Sequence, residues 1–190
     1  MKPLLALMHA IDAFNEKVGV AVSWLTTLLV AVVCFDVFTR YVLNSSLVAV
    51  QELEWHLFAV IFLLGAAYTL KHDEHVRVDV LYAGRSRRTK AAIDLAGALL
   101  FLLPFCALVV WVSVGFVETS WGVGEGSENP GGLPGRYVLK AMIPAAFVLL
   151  GLQGVSLAIR SALIVAGRLP EDGGGDEAGG DDAPAAVEVP

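Results

Sequence analysis

The sequence predicts an all-α integral membrane protein with four transmembrane helices. Hydrophobic residues make up 56% of the 190 residues and the mean hydropathy is +0.69, both above the values of an ordinary globular domain. A membrane-spanning helix needs about 20 consecutive, mostly apolar residues. Stretches of that kind occur at Val18–Phe38, Val50–Leu70, Ala92–Val117 and Ala141–Ile159.

The chain is expected to consist of a membrane domain and a C-terminal tail. A four-span membrane domain is expected over residues 1–169, followed by a disordered acidic tail over residues 170–190. The tail is rich in Gly, Asp, Ala and Pro, so it cannot bury enough apolar surface to offset the entropy of ordering it. We interpret it as a solvated end, and an acidic segment that binds a partner is the alternative. Its acids are Glu171, Asp172, Asp176, Glu177, Asp181, Asp182 and Glu188, and it contains no base.

A short amphipathic helix is expected ahead of the first span, lying at the membrane surface. Apolar residues recur there at helical spacing, which is typical of such a helix. Asp12, Asn15 and Glu16 mostly fall on its other faces. The segment has neither the apolar core nor the small-residue cleavage pattern of a secretory signal. The apolar residues are Leu4, Leu7, Met8, Ile11 and Phe14.

The distribution of basic residues predicts that both termini are cytoplasmic. Basic residues accumulate in the cytoplasmic loops and ends of membrane proteins. With four spans, the two termini and the connection between spans two and three share one side of the membrane. That side carries ten bases, and the other side carries three, Arg40, Arg136 and Lys140. The ten are Lys2, Lys17, Lys71, Arg77, Arg85, Arg87, Arg88, Lys90, Arg160 and Arg168.

Polar residues surround the turn between the first two spans. Asp36 precedes Arg40 by one helical turn, Asn44 lies in the turn, and Glu52 and Glu54 open the second span. An ionisable group at the centre of the membrane costs about 2.5–3.5 kcal/mol, and these groups lie off-centre. One interpretation is a polar cluster that joins the two spans or binds a partner. The other is helix capping together with an ion pair inside one helix.

The inner end of the second span contains His72 and His75 close to several carboxylates. Catalytic zinc sites need three protein ligands, and the sequence offers no convincing third one. We therefore expect no metal, no cofactor and no catalytic residue here. His75, Arg77 and Asp79 are candidates for a structural or partner contact at the membrane surface.

Gln153 is the only amide deep within an apolar stretch. We expect it to hydrogen-bond a neighbouring helix, a contact that contributes about 0.6–2 kcal/mol in membranes. Whether that helix belongs to this chain or to a partner is left open. The two halves of the sequence show no repeat, and no charge lies at mid-span. Secondary transporters usually have internal repeats and broken helices around a midplane site, so transport by this chain alone is not expected.

A series of residues across the first two spans matches a known pattern. It consists of Arg40-Tyr41, Asn44, Ser46, Glu52-Leu53-Glu54, Leu57-Phe58, Leu64-Gly65-Ala66-Ala67 and His75-Val76-Arg77-Val78-Asp79. This series resembles the small membrane subunit, of DctQ type, of tripartite ATP-independent periplasmic (TRAP) transporters. Residues 33–82 carry the resemblance, and the last two spans agree with it in architecture.

The resemblance implies a role in cation-coupled uptake, that is symport, at the bacterial inner membrane. In such systems a periplasmic binding protein captures the solute, often an organic acid. A large permease subunit holds the sodium and substrate sites and moves like an elevator, and the small subunit is its scaffold. Membrane lipids are the remaining expected partners, with no nucleic acid and no enzymatic activity. The alternative is a membrane anchor of a redox complex, binding haem or facing quinone, which rests on four spans and on histidines near the membrane surfaces.

Overall fold

The computed structural model describes residues 2–73 and 84–168, and these residues form four long helices. They are α1 (Lys2–Val42), α2 (Val48–Lys71), α3 (Arg87–Gly122) and α4 (Arg136–Val165). Each is long and apolar enough to cross a membrane, and no strand occurs in this part of the chain. The prediction of an all-α protein with four transmembrane helices is confirmed.

The segment expected to form a short surface helix is instead the first part of α1. That helix runs without a break through 41 residues. Leu4, Leu7 and Phe14 are exposed, whereas the inward-facing side of the segment continues into the first span. A helix packed on a neighbour along one stripe has no reason to break at the membrane surface. The buried stripe consists of Met8, Ile11, Asp12, Asn15, Gly19 and Val22.

The helices α1 and α2 form an antiparallel hairpin, with a tight turn at one end and polar contacts between the helices at the other. Asn44, in the turn, has φ 49°, a left-handed conformation that Asn tolerates and that ends α1. At the other end, Lys71 Nζ donates to the Glu16 carboxylate over 2.5 Å, and His72 Nε2 lies 3.0 Å from the same carboxylate. Between these points the Tyr68 ring packs directly on the backbone of Gly19.

The helix α3 contains a widened π-helical turn at Ala98–Leu102, between α-helical segments Arg87–Gly97 and Leu103–Gly122. Pro104 lies two residues after the end of this turn. Proline cannot donate to the carbonyl four residues earlier, and its ring clashes with that carbonyl in a regular α-helix. A π turn at that point relieves the clash. The widened turn lies against α4, where Gly154 faces the side chains of Leu102 and Leu103.

The last helix, α4, lies between the other three. It packs on α1, α2 and α3, whereas within the described residues α3 has no packing interface with α1 or α2. The helices α1, α2 and α4 therefore pack on one another as a three-helix group, and α3 is added mainly through α4. This open arrangement of the four spans is here called the layer. Large side chains remain uncovered on all the outer helices, including Trp24 (71% exposed), Phe62 (71%) and Trp111 (80%). In a membrane these surfaces face lipid or another protein.

Two predictions concern parts of the chain outside the described residues. The tail at 170–190 lies there, and so does most of the connection between spans two and three, at 74–83. The division into a membrane domain and a disordered tail stays a prediction.

The packing of Tyr68 on Gly19 predicts that one glycine substitution destabilises the hairpin and that another does not. In Gly19→Ala the new methyl group overlaps the Tyr68 ring, and overpacking of this kind costs about 1–3 kcal/mol. Gly65→Ala is the matched control, because its new methyl group meets open space. Thermal unfolding of the purified protein in detergent should show a lower midpoint for Gly19→Ala only. Equal midpoints for the two variants would show that the hairpin does not depend on this contact.

Candidate functional site

Two clusters of polar side chains fix α4 and its preceding loop to the α1–α2 hairpin. One lies at the end of the protein that holds Lys2 and Arg168, here called the terminal end. The other lies at the opposite end, here called the loop end, with the connections at residues 43–47 and 123–135. Hydrogen bonds between helices are directional, so each cluster fixes a register that apolar contacts alone leave free.

The cluster at the terminal end is centred on Asp12 of α1. Gln153 Nε2 donates to Asp12 Oδ1 over 3.0 Å, and Ser156 Oγ donates to the same oxygen over 2.7 Å. The Arg160 guanidinium reaches Asp12 Oδ2 over 3.3 Å. Asn15 Nδ2 donates to Gln153 Oε1 over 2.7 Å. These five residues, the Asp12 cluster, give the buried carboxylate three donors, so its charge is compensated although it is out of contact with solvent.

The spacing of the residues explains how two helices build this cluster. Asp12 and Asn15 are three apart on α1, and Gln153, Ser156 and Arg160 follow one face of α4 at intervals of three and four. The expected hydrogen bond from Gln153 to a neighbouring helix is confirmed, and the neighbour is α1 of the same chain. Sequence reasoning missed Asp12 and Asn15, although both lie on the stripe that contains Met8 and Ile11.

The cluster at the loop end is centred on Glu52 of α2, whose side chain is almost fully buried. Its carboxylate accepts hydrogen bonds from Ser127 Oγ, from Asn129 Nδ2 over 3.0 Å and from the Leu133 amide over 2.7 Å. The Arg136 guanidinium lies 3.8 Å away. One acid of the second span therefore organises the loop that joins α3 to α4. This set of residues is the Glu52 cluster.

The loop itself is closed by backbone hydrogen bonds. The Ser127 amide donates to the Leu133 carbonyl over 3.0 Å, and the Arg136 amide donates to the Glu125 carbonyl over 2.9 Å. The Glu125 carboxylate accepts from Lys140 and from Ser120, over 2.6 Å in the second case. Both contacts hold the pKa of Glu125 below its usual range, Lys140 more strongly. This carboxylate is therefore charged at neutral pH and ties both ends of the loop together.

The remaining candidates from the sequence are dispersed. Arg40 pairs with Asp36 one turn earlier on α1, and Asn44 is exposed in the turn. Glu54 is half-buried, and its Oε1 has no hydrogen-bond partner among the described residues. The structure brings Glu52 to the second loop and not to Arg40. His75, Arg77 and Asp79 lie outside the described residues.

The histidines that support a redox interpretation are far apart in the described part of the chain. His56 and His72 lie at opposite ends of α2, and His9 is exposed on α1. His56 Nδ1 is 2.5 Å from the Glu52 carbonyl, and His72 contacts Glu16. Residues 2–73 and 84–168 contain no group of three or more His, Cys, Asp or Glu residues placed to hold a metal ion.

Comparison with known families gives one match. Residues 10–163 match the family described as "Tripartite ATP-independent periplasmic transporters, DctQ component". The chain belongs to the DctQ family. The matched range includes the whole of the Asp12 cluster and the Glu52 cluster of this DctQ protein, and it ends before the acidic tail. No match was found among curated proteins or among solved structures. The chain is thus a multi-pass membrane component of a TRAP transporter, as the resemblance indicated.

The Asp12 cluster predicts a measurable coupling between α1 and α4. In a double-mutant cycle, Asn15→Ala and Gln153→Ala should show a coupling energy of about 0.6–1.7 kcal/mol, the range found for hydrogen bonds between membrane helices. Ser113→Ala combined with Asn15→Ala is the control, because the buried Ser113 hydroxyl bonds only carbonyls of its own helix. Unfolding in a mixed-detergent titration measures all the variants. Additive effects of Asn15→Ala and Gln153→Ala would contradict the cluster.

The Glu52 cluster predicts that one acid protects the second loop from hydrogen exchange. In Glu52→Gln the charge is lost and an amide donor faces the donors of the loop, so exchange over residues 123–135 should become several-fold faster. Glu128→Gln is the matched control, because Glu128 is an exposed acid of the same loop. Exchange is followed by mass spectrometry of peptides from the loop. If both variants exchange like the parent protein, Glu52 does not hold the loop.

Proposed function

We propose that this DctQ-family chain is the scaffold on which the large permease subunit of its TRAP transporter is held in the membrane. The observation that carries the proposal is the open layer of helices. A helix in the middle of the layer, α4, is covered on its sides, while α1, α2 and α3 present broad apolar surfaces. A layer of this shape suits a subunit that packs along another membrane protein.

Rigidity of the layer supports the same proposal. The Asp12 cluster fixes α1 to α4, and the Glu52 cluster fixes the loop before α4 to α2. A scaffold must hold its shape while its partner moves, and polar contacts at both ends restrict sliding between helices. The described ion pairs that join these elements lie at the terminal end and at the loop end of the protein.

Transport itself is assigned to the partner. We propose that the large subunit binds and moves the solute, an organic-acid-like compound, by cation symport. A periplasmic binding protein delivers the solute, and this chain performs no chemistry of its own. The absence of a repeat between the two halves of the sequence supports this division of labour.

We further propose that the terminal end faces the cytoplasm and the loop end faces the periplasm of a bacterial inner membrane. The excess of bases among the residues of the terminal end supports this orientation. The exposed Asn44, the half-exposed Arg40 and the partly buried Glu54 then lie at the periplasmic surface, where a partner subunit can contact them. His75, Arg77 and Asp79 are proposed for a contact at the cytoplasmic surface.

Deletion of the gene tests the scaffold role. Cells that lack this chain should lose most uptake of the solute, and uptake should return when the chain is supplied from a plasmid. The large subunit should copurify with the tagged chain in mild detergent. Normal uptake without the chain would refute the scaffold role, and loss of uptake without copurification would show an indirect effect.

A further inference from the structure

Four bases lie at the start of α3, one just before the helix and three in its first turn. Arg85, Arg87 and Arg88 are exposed and Lys90 is half-buried, and Ser86 caps the helix between them. Among the described residues, no carboxylate forms an ion pair with any of these bases. They are here called the basic patch, with Asp94 as the single acid in the first three turns of the helix.

Other charges at the terminal end are already compensated within the chain. Asp12 binds Arg160, and Glu16 binds Lys71 and His72. These acids are therefore engaged elsewhere and do not neutralise the basic patch. Four bases close together on a membrane protein attract anionic groups strongly. The anionic group that lies nearest along the chain is therefore the first candidate ligand.

The packing of α3 on α4 brings the end of α4 level with the basic patch. A methyl group built on Gly154 would lie 2.9 Å from a carbon of Leu102, so these two residues are directly opposed. Lys90 is twelve residues before Leu102, and Ala166 is twelve residues after Gly154. Because the helices are antiparallel, both positions lie about 18 Å from that contact towards the terminal end. The C-terminal end of α4 therefore lies at the same level along the helix axes as the basic patch.

The segment that follows, residues 169–190, has the opposite charge. It contains seven acids and no base, and it lies wholly outside the range that matches the DctQ family. Packed helices are about 8–10 Å apart. For comparison, a Gly-rich random coil of equal length would have a root-mean-square span of about 26 Å, so the number of residues is sufficient to reach the patch.

We propose that the acidic segment 169–190 docks on the basic patch of α3 in the same molecule. A single exposed ion pair contributes little, but four bases facing seven acids form many alternative pairs that need no fixed conformation. Attachment to α4 keeps the acids at an effective concentration in the millimolar range. The contact neutralises the basic patch and excludes other anionic groups, including lipid head groups, from it. It goes beyond the scaffold role and holds for either orientation in the membrane.

Paramagnetic broadening of the tail's amide signals tests the contact in the full chain. A spin label is placed either at Thr89→Cys, within the basic patch, or at Leu4→Cys, which is exposed on α1 at a similar level. Cys34→Ser removes the exposed native cysteine. The protein is held in nanodiscs of phosphatidylcholine with phosphatidylglycerol. The label at Thr89→Cys should broaden the signals of residues 171–188 clearly more than the label at Leu4→Cys.

Two charge variants separate the basic patch from a general effect of positive charge. Arg87→Gln with Arg88→Gln should remove the difference between the two labels. Lys2→Gln with Lys17→Gln, which neutralises two exposed bases of α1, should leave the difference unchanged. Salt at about 1 M, where the Debye length is about 3 Å, should also remove the difference.

Equal broadening from the two labels in the parent protein would overturn the proposal. So would a difference that persists in Arg87→Gln with Arg88→Gln. If the labels broaden the tail equally while phosphatidylglycerol raises the unfolding temperature of the parent but not of that variant, the patch binds lipid and the proposal is also wrong. Solute uptake is measured separately in cells, so failure of the docking contact leaves the scaffold role unaffected.

Discussion

The hydrogen bonds between Gln153 and the pair Asp12 and Asn15 are the contact on which the rest of the structure depends. Within a membrane, apolar side chains pack on lipid tails about as well as on each other, so they do not specify one register between helices. Buried amide and carboxylate groups do, because each needs its partner at hydrogen-bond distance. This contact holds the first four turns of α1 on α4.

Once α1 is fixed, α4 becomes the central helix and its other sides determine the shape of the layer. Gly151 and Gly154 let α3 approach closely, and the π turn at Ala98–Leu102 adapts α3 to that approach. At the loop end, Glu52 holds the loop that leads into α4. Because α3 is held through α4, any displacement of α4 would move α3 with it. The polar contacts of α4 and of the loop before it therefore fix how the four helices are arranged.

Sequence alone could predict the parts of this structure that depend on local composition. Span length and hydropathy gave the four helices, and an amide in an apolar stretch indicated an interhelical bond for Gln153. The partners of that bond could not be predicted, because periodicity shows which residues share a stripe but not what covers it. For the same reason the helical spacing places Asp12 and Asn15 mostly away from the apolar residues, whereas the structure has both on the buried stripe. The donors to Glu52 lie at least 75 residues away, a separation across which sequence offers no register.

The two ends of the protein differ in how far their charged side chains are paired within the chain. At the loop end, Glu52 and Glu125 are both surrounded by donors, so the charges serve internal structure. At the terminal end the Asp12 cluster is satisfied too, yet the first turn of α3 keeps bases without partners among the described residues. The acids Asp12, Glu52 and Glu125, which hold helices and a loop together, are thus paired within the chain, whereas the bases at the start of α3 form no ion pair with a described carboxylate.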